Sequence, residues 1–147
     1  MIIALGADHG GYELKESIKK HLEEKGVEYI DYGSYTGEAI DYPIIAKKVA
    51  DAIVSGECGR GILCCGTGVG ISIAANKVKG IRCACCSDYF SAYYTRLHND
   101  ANILAMGGRV VGAGLGIMMA DVFLETEFEG GRHERRVGLI TEIENEN

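Results

Sequence analysis

The sequence predicts an α/β fold: a doubly wound parallel sheet of five strands with helices on both faces. Three observations predict it. Short apolar runs alternate with amphipathic, helix-length segments along the whole chain. Glycines punctuate them, 21 against a single proline. Polar, chemistry-bearing residues gather where strands end, which is where ligands bind in such sheets.

Residues 2–7 read as a buried strand. Residues 11–25 carry Leu14, Ile18 and Leu22 on one helical face and stop at Gly26. Residues 27–32 form the second strand. Asp41 can cap a helix with Pro43 in its first turn, apolar at Ile45, Val49, Ala52 and Ile53 and ended by Gly56. Residues 61–65 are the third strand, followed by a glycine loop and a helix-like segment at 72–77. Residues 81–86 are the fourth strand, 88–97 a helix and 103–106 the fifth strand. Helices near 114–124 and 131–143 complete the chain. The 147 residues read as one domain, 1–147. With right-handed crossovers, the loops after strands one and three meet if those strands are neighbours, as in a 2-1-3 order.

The formal net charge is −6, from 15 basic and 21 acidic residues, which argues against general binding to nucleic acid or anionic membrane. No apolar run is long enough to span a bilayer, and the N-terminus lacks a signal-peptide pattern, so a cytoplasmic protein is expected. The six cysteines supply no two paired C-x-x-C motifs, which counts against a structural zinc site. Cys58, Cys64, Cys83, Cys85 and Cys86 read as small packing residues.

Cys65 has a motif around it. It ends the third strand and begins Cys65-Gly66-Thr67-Gly68-Val69-Gly70. Glycines let backbone N–H groups converge on an anion, and a helix N-terminus favours the thiolate of a nearby cysteine. The loop fits neither a dinucleotide fingerprint nor a Walker P-loop nor a C-x5-R phosphatase, since Ile71-Ser72-Ile73 supplies none of the residues these require. What it offers is an oxyanion cradle beside an ionisable thiol, equipment for proton transfer or covalent chemistry.

Asp8-His9-Gly10-Gly11 follows the first strand and Gly107-Gly108-Arg109 the fifth. His98, followed by Asn99, lies at a helix end, expected near the carboxyl edge of the sheet. Arg132 and Arg136 share a helical face, and forked guanidinium donors suit phosphate. His21, among lysines, reads as a solvated surface residue.

These motifs in this order, with Asp41-Tyr42-Pro43, Ala74-Ala75-Asn76-Lys77 and Gly130-Gly131-Arg132-His133, resemble the B-type ribose-5-phosphate isomerases over essentially the whole chain. The wider family includes galactose-6-phosphate and allose-6-phosphate isomerases. The resemblance implies a Rossmann-like sandwich, no metal or other cofactor, a small sugar phosphate as substrate, and dimers or tetramers with shared active sites. It makes Cys65 the base that moves a proton between C2 and C1. It makes His98 the aid to furanose opening, with Asp8 and Thr67 near the same end of the sugar. Amides from Gly66, Thr67, Gly68, Val69 and Gly70 would hold the enediolate, and Asn99 the substrate. His9, Arg132 and Arg136 would bind phosphate, with Arg109 nearby. The C-terminal helix, about 131–143, would reach a partner subunit. Two other classes stay open at this point: a hexose-phosphate isomerase of the same family, and a non-catalytic sugar-phosphate binding module.

Overall fold

The computed structural model describes all 147 residues. In chain order the elements are β1 (Ile3–Ala7), α1 (Tyr12–Lys25), β2 (Tyr29–Asp31), α2 (Tyr42–Val54), β3 (Arg60–Cys65) and α3 (Val69–Ala75). Then come β4 (Cys83–Cys85), α4 (Tyr89–Asn99), β5 (Ile103–Gly107), α5 (Ala113–Glu125) and α6 (Arg132–Asn145). All strand pairs are parallel, in the order β2-β1-β3-β5-β4. Strands β1 and β3 are therefore neighbours.

Side-chain alternation along the central strands divides the core in two. Ile3, Leu5, Ala7, Ile62, Cys64, Leu104 and Met106 face one side, packed with Leu14, Ile18 and Leu22 of α1 and Met119 and Phe123 of α5. Ala4, Leu63, Cys65, Ile103 and Ala105 face the other, against Ile45 and Val49 of α2 and Ile71 of α3. Adjacent cysteines thus enter different cores. Cys64 is fully buried, and burial pushes its thiol up to about 12, as a packing residue requires.

As expected, Gly26 closes α1 in a left-handed conformation, and Pro43 lies in the first turn of α2. Other expectations are corrected. Asp41 takes the N-cap position of α2, but its side chain makes no capping hydrogen bond; the side-chain cap is found on α4 instead, where Asp88 accepts from the Ser91 amide at 2.7 Å. α3 begins at Val69, inside the glycine loop, three residues earlier than the sequence suggests. Cys85 is exposed rather than packed, because it sits at the end of the edge strand β4. His21 is not simply solvated: its Nε2 meets both carboxylate oxygens of Asp121 at 2.9 Å, tying α1 to α5.

The edge of β4 is closed by a side chain. Asn76, just after α3, accepts from the Cys83 amide at 2.7 Å and donates to the Cys83 carbonyl at 2.9 Å. Its amide imitates a strand neighbour and blunts an otherwise open edge.

Helix α6 contributes one buried residue, His133, and leaves Leu139, Ile140 and Ile143 exposed. Phe90 and Tyr94 of α4 and Val69 and Ile73 of α3 are exposed as well. This much exposed apolar surface on a small protein is typical of a face that another molecule covers.

Candidate active site

Three loops meet at the carboxyl ends of β1, β3 and β5. A Cβ added to Gly10 would lie 2.9 Å from the Gly66 amide nitrogen, and one added to Gly108 would lie 2.5 Å from the Gly10 carbonyl oxygen. Side chains are excluded there by contact between backbones. The Gly108 amide donates to the Cys65 carbonyl at 2.8 Å, and the Arg109 amide to the Gly66 carbonyl at 3.0 Å. The Arg109 guanidinium lies over Gly66.

Cys65 ends β3 and is 5 % exposed. Its Sγ accepts the Gly68 amide at 3.1 Å. That geometry depends on glycine at 68: φ is +82°, and a Cβ there would meet the Met106 carbonyl carbon at 2.8 Å. The Thr67 Oγ1 accepts the Val69 amide at 3.2 Å, which leaves its hydroxyl proton free to donate. The Gly66 and Thr67 amides find no backbone acceptor. Asp8 is buried, and one carboxylate oxygen accepts the Gly10 and Gly11 amides at 2.9 and 3.1 Å. Its other oxygen is left for a ligand. His9 is exposed beside it. Tyr42, at the start of α2, packs on Gly70 and walls the loop; sequence reasoning gave it no role of its own.

A thiol, a carboxylate, a hydroxyl and unpaired amides thus converge at one carboxyl edge. This combination can remove a proton from carbon and hold the resulting charge on oxygen.

His98 and Asn99 do not join them. The sequence placed His98 near the carboxyl edge, but the structure places it at the amino edge. The reason is topological: a helix following a parallel strand returns the chain to the edge where the next strand starts. The register fixes this. Cys65 pairs with Gly107, whereas the turn after His98 leads into Ile103. Four residues of strand, roughly 13 Å, separate those levels. Two arginines pin that turn. Arg82 Nε donates to the Asn99 carbonyl at 3.0 Å, and Arg96 Nη1 donates to the Asp100 carboxylate at 2.8 Å. Asp100 itself has a φ of +47°.

The start of α6 lies at the same amino edge. The Glu129 amide donates to the Leu97 carbonyl at 3.1 Å, and at the far end of α6 Glu144 accepts the Gly80 amide at 3.0 Å. Arg132 and Arg136 are exposed, and the nearby Glu129 carboxylate faces His98. The candidate residues therefore form two halves on opposite edges of one chain. Asp8, His9, Cys65, the 66–70 loop and Arg109 make one half. His98, Asn99, Arg132 and Arg136 make the other.

The one cluster that could take a cation is His98, Glu129 and His133, with donor atoms within 4.8 Å of one another. The two imidazoles are stacked, with centroids 4.0 Å apart and planes 11° apart. Their lone pairs run in parallel planes rather than converging, so a ring would have to turn before both could hold one ion.

Comparison with known proteins agrees with this architecture. The family model for ribose/galactose isomerases matches residues 3–140. The chain is 55% identical to ribose-5-phosphate isomerase B of Escherichia coli over 142 residues, 97% of this chain and 95% of that one. It superposes on the ribose-5-phosphate isomerase B of Clostridium thermocellum with a TM-score of 0.97 at 55% identity, covering 99% of both chains. It also superposes on the Mycoplasma genitalium enzyme, solved with bound ribulose 5-phosphate, with a TM-score of 0.94 at 40% identity, covering 99% of this chain and 97% of that one. With the sheet, the cysteine and its glycine loop in place, the chain belongs to the ribose/galactose isomerase family.

Proposed function

We propose that this protein interconverts ribose 5-phosphate and ribulose 5-phosphate, as an aldose–ketose isomerase of the pentose phosphate pathway. The observation that carries the reading is Cys65 at the end of β3, with its Sγ beside the Gly68 amide and the unpaired Gly66 and Thr67 amides next to it.

The chemistry proceeds in two stages. Opening the furanose moves a proton from the anomeric hydroxyl to the ring oxygen and frees the C1 aldehyde. His98 assists this stage, with Asp8 and Thr67 near the same end of the sugar. The Cys65 thiolate then takes the C2 proton, and the electron pair moves to the C1 oxygen as an enediolate. Loop amides stabilise that charge; one such donor is worth about 10²–10³ in rate. The Cys65 thiol returns the proton to C1, a proton passes from the C2 hydroxyl to the C1 oxygen, and the ketose forms. Asn99 holds the sugar, and His9, Arg132 and Arg136 hold the phosphate, with Arg109 nearby. Base, acid and oxyanion donors are all protein groups, so the scheme calls for no metal and no cofactor.

Because the two halves lie on opposite edges of one chain, a working site takes one half from each of two subunits. A homodimer, or a tetramer built from dimers, supplies this, with α6 reaching the partner. The exposed apolar residues of α3, α4 and α6 support such a face. Six free thiols suit a cytoplasmic setting.

A turnover assay with ribose 5-phosphate, allose 6-phosphate and galactose 6-phosphate tests the reading. Preference for ribose 5-phosphate supports it, and preference for either hexose phosphate replaces it with the corresponding isomerase. Tight binding of all three without turnover would make the protein a binding module.

A further inference from the structure

Beside His98 lies a buried imidazole whose Nε2 has no hydrogen-bond partner. This is His133, 5 % exposed, on the first turn of α6. Its ring stacks on His98 at 4.0 Å, and Tyr94 also meets His98, edge-on at 5.0 Å. A third group closes the cluster. Glu129 Oε2 stands 3.6 Å from His98 Nε2, and the Glu129 amide is tied to the Leu97 carbonyl.

These contacts fix different degrees of freedom. The stack with His133 and the edge of Tyr94 set the plane of the His98 ring. The Glu129 carboxylate lies at ion-pair distance from Nε2 and favours that edge of the ring facing it, which leaves the other ring nitrogen toward a substrate. Proton transfer to a ring oxygen needs a donor within hydrogen-bond reach and correctly directed.

We propose that His133 and Glu129 are positioning residues for His98, holding its imidazole in the orientation that opens the sugar ring. The assignment rests on the ring-opening role given to His98 above. The groups facing His133 are His98 from α4, Glu129 from the preceding loop, and Arg132 and Arg136 from its own helix. Burial first, then the neighbouring His98 and Arg132, hold its pKa below the ordinary histidine range.

The test uses the full-length protein and two substrates. Ribose 5-phosphate must be opened before it reacts, whereas erythrose 4-phosphate has no free hydroxyl with which to close a furanose. Glu129→Gln and His133→Ala are expected to lower kcat on ribose 5-phosphate on the order of tenfold, as loss of an orienting partner does. KM should change little, and kcat on the four-carbon substrate should fall far less. His133→Phe keeps a flat ring in the stack and should recover part of the loss. In a His98→Asn background the Glu129 and His133 changes should add nothing. Melting curves confirm folding, and if His133→Ala does not fold, Glu129→Gln and His133→Phe carry the comparison. Equal losses on both substrates, or wild-type kcat in both single variants while His98→Asn is selectively impaired on ribose 5-phosphate, overturn the positioning role alone. If His98→Asn itself loses equally on both substrates, the ring-opening assignment is wrong and the positioning role falls with it.

Discussion

The Gly68 amide donates to Cys65 Sγ across 3.1 Å, so the glycine loop that follows β3 also holds the thiol. Cys64, its neighbour in sequence, points into the opposite core. Cys65→Ala should therefore keep the fold and bind sugar phosphate, yet lose nearly all turnover. Cys64→Ala should stay active and lose about 1 kcal/mol of stability for the small cavity it leaves. Steady-state kinetics and denaturant unfolding of the two variants check this pair of outcomes; comparable turnover in Cys65→Ala and wild type would sink the assignment of the base.

Gly68→Ala should be costly for a different reason. A left-handed conformation costs a non-glycine residue roughly 1–2 kcal/mol, and the added Cβ meets the Met106 carbonyl carbon at 2.8 Å. Relief of that contact displaces the amide that faces Cys65. The expected result is a drop in kcat well beyond the loss of stability. A variant with normal kcat would show that the amide's position is irrelevant to the reaction.

Much of the fold was legible in the sequence, because apolar runs, caps and terminal glycines all agree. The adjacency of β1 and β3 is one order that a doubly wound fold allows, and the sequence leaves it open. The insertion of β5 between β3 and β4 is left open too, since no local feature tells an edge strand from a central one. The site was only half legible. Asp8 and Cys65 announce themselves at strand ends. For His98, closeness to the next strand points to the carboxyl side, although the chain must return to the amino side before β5. His21 looked solvated because its partner, Asp121, is 100 residues away. Arg82, Arg96 and Glu129, which shape the His98 turn, look like ordinary surface charges until the elements that they join are packed together.

Asn76→Ala removes both hydrogen bonds that close the edge of β4. Because that edge borders solvent, water can replace part of the loss, and about 1 kcal/mol of destabilisation is expected. Hydrogen exchange at the Cys83 amide should accelerate more than exchange in β3. Unchanged protection at Cys83 would contradict the capping role.

The depressed pKa of His133 makes a signed prediction. As pH falls below about 6.5, an unfolded histidine takes up a proton while folded His133 does not. The unfolded state then binds more protons, so this residue makes stability fall on acidification. Its contribution is intact above the unfolded pKa and shrinks as pH drops toward the folded one. Without substrate, His133→Phe should lose less stability than wild type between about pH 7 and about pH 5.5. Parallel urea-midpoint curves for the two proteins would show that His133 takes up its proton as freely in the folded chain.

The central claim is that one active site is built from two chains, and subunit mixing tests it most directly. Cys65→Ala removes the base from a subunit's own half-site, and Arg136→Ala removes the phosphate anchor it lends to its partner. Each homo-oligomer should be nearly inactive, because every site lacks one part. When equal amounts are unfolded together and refolded, a mixed pair has one site with both defects and one with neither. Random pairing then restores roughly a quarter of wild-type activity. If mass measurement confirms mixed oligomers and activity remains the sum of the two parents' residual rates, Arg136 serves its own subunit and the two-chain site is wrong.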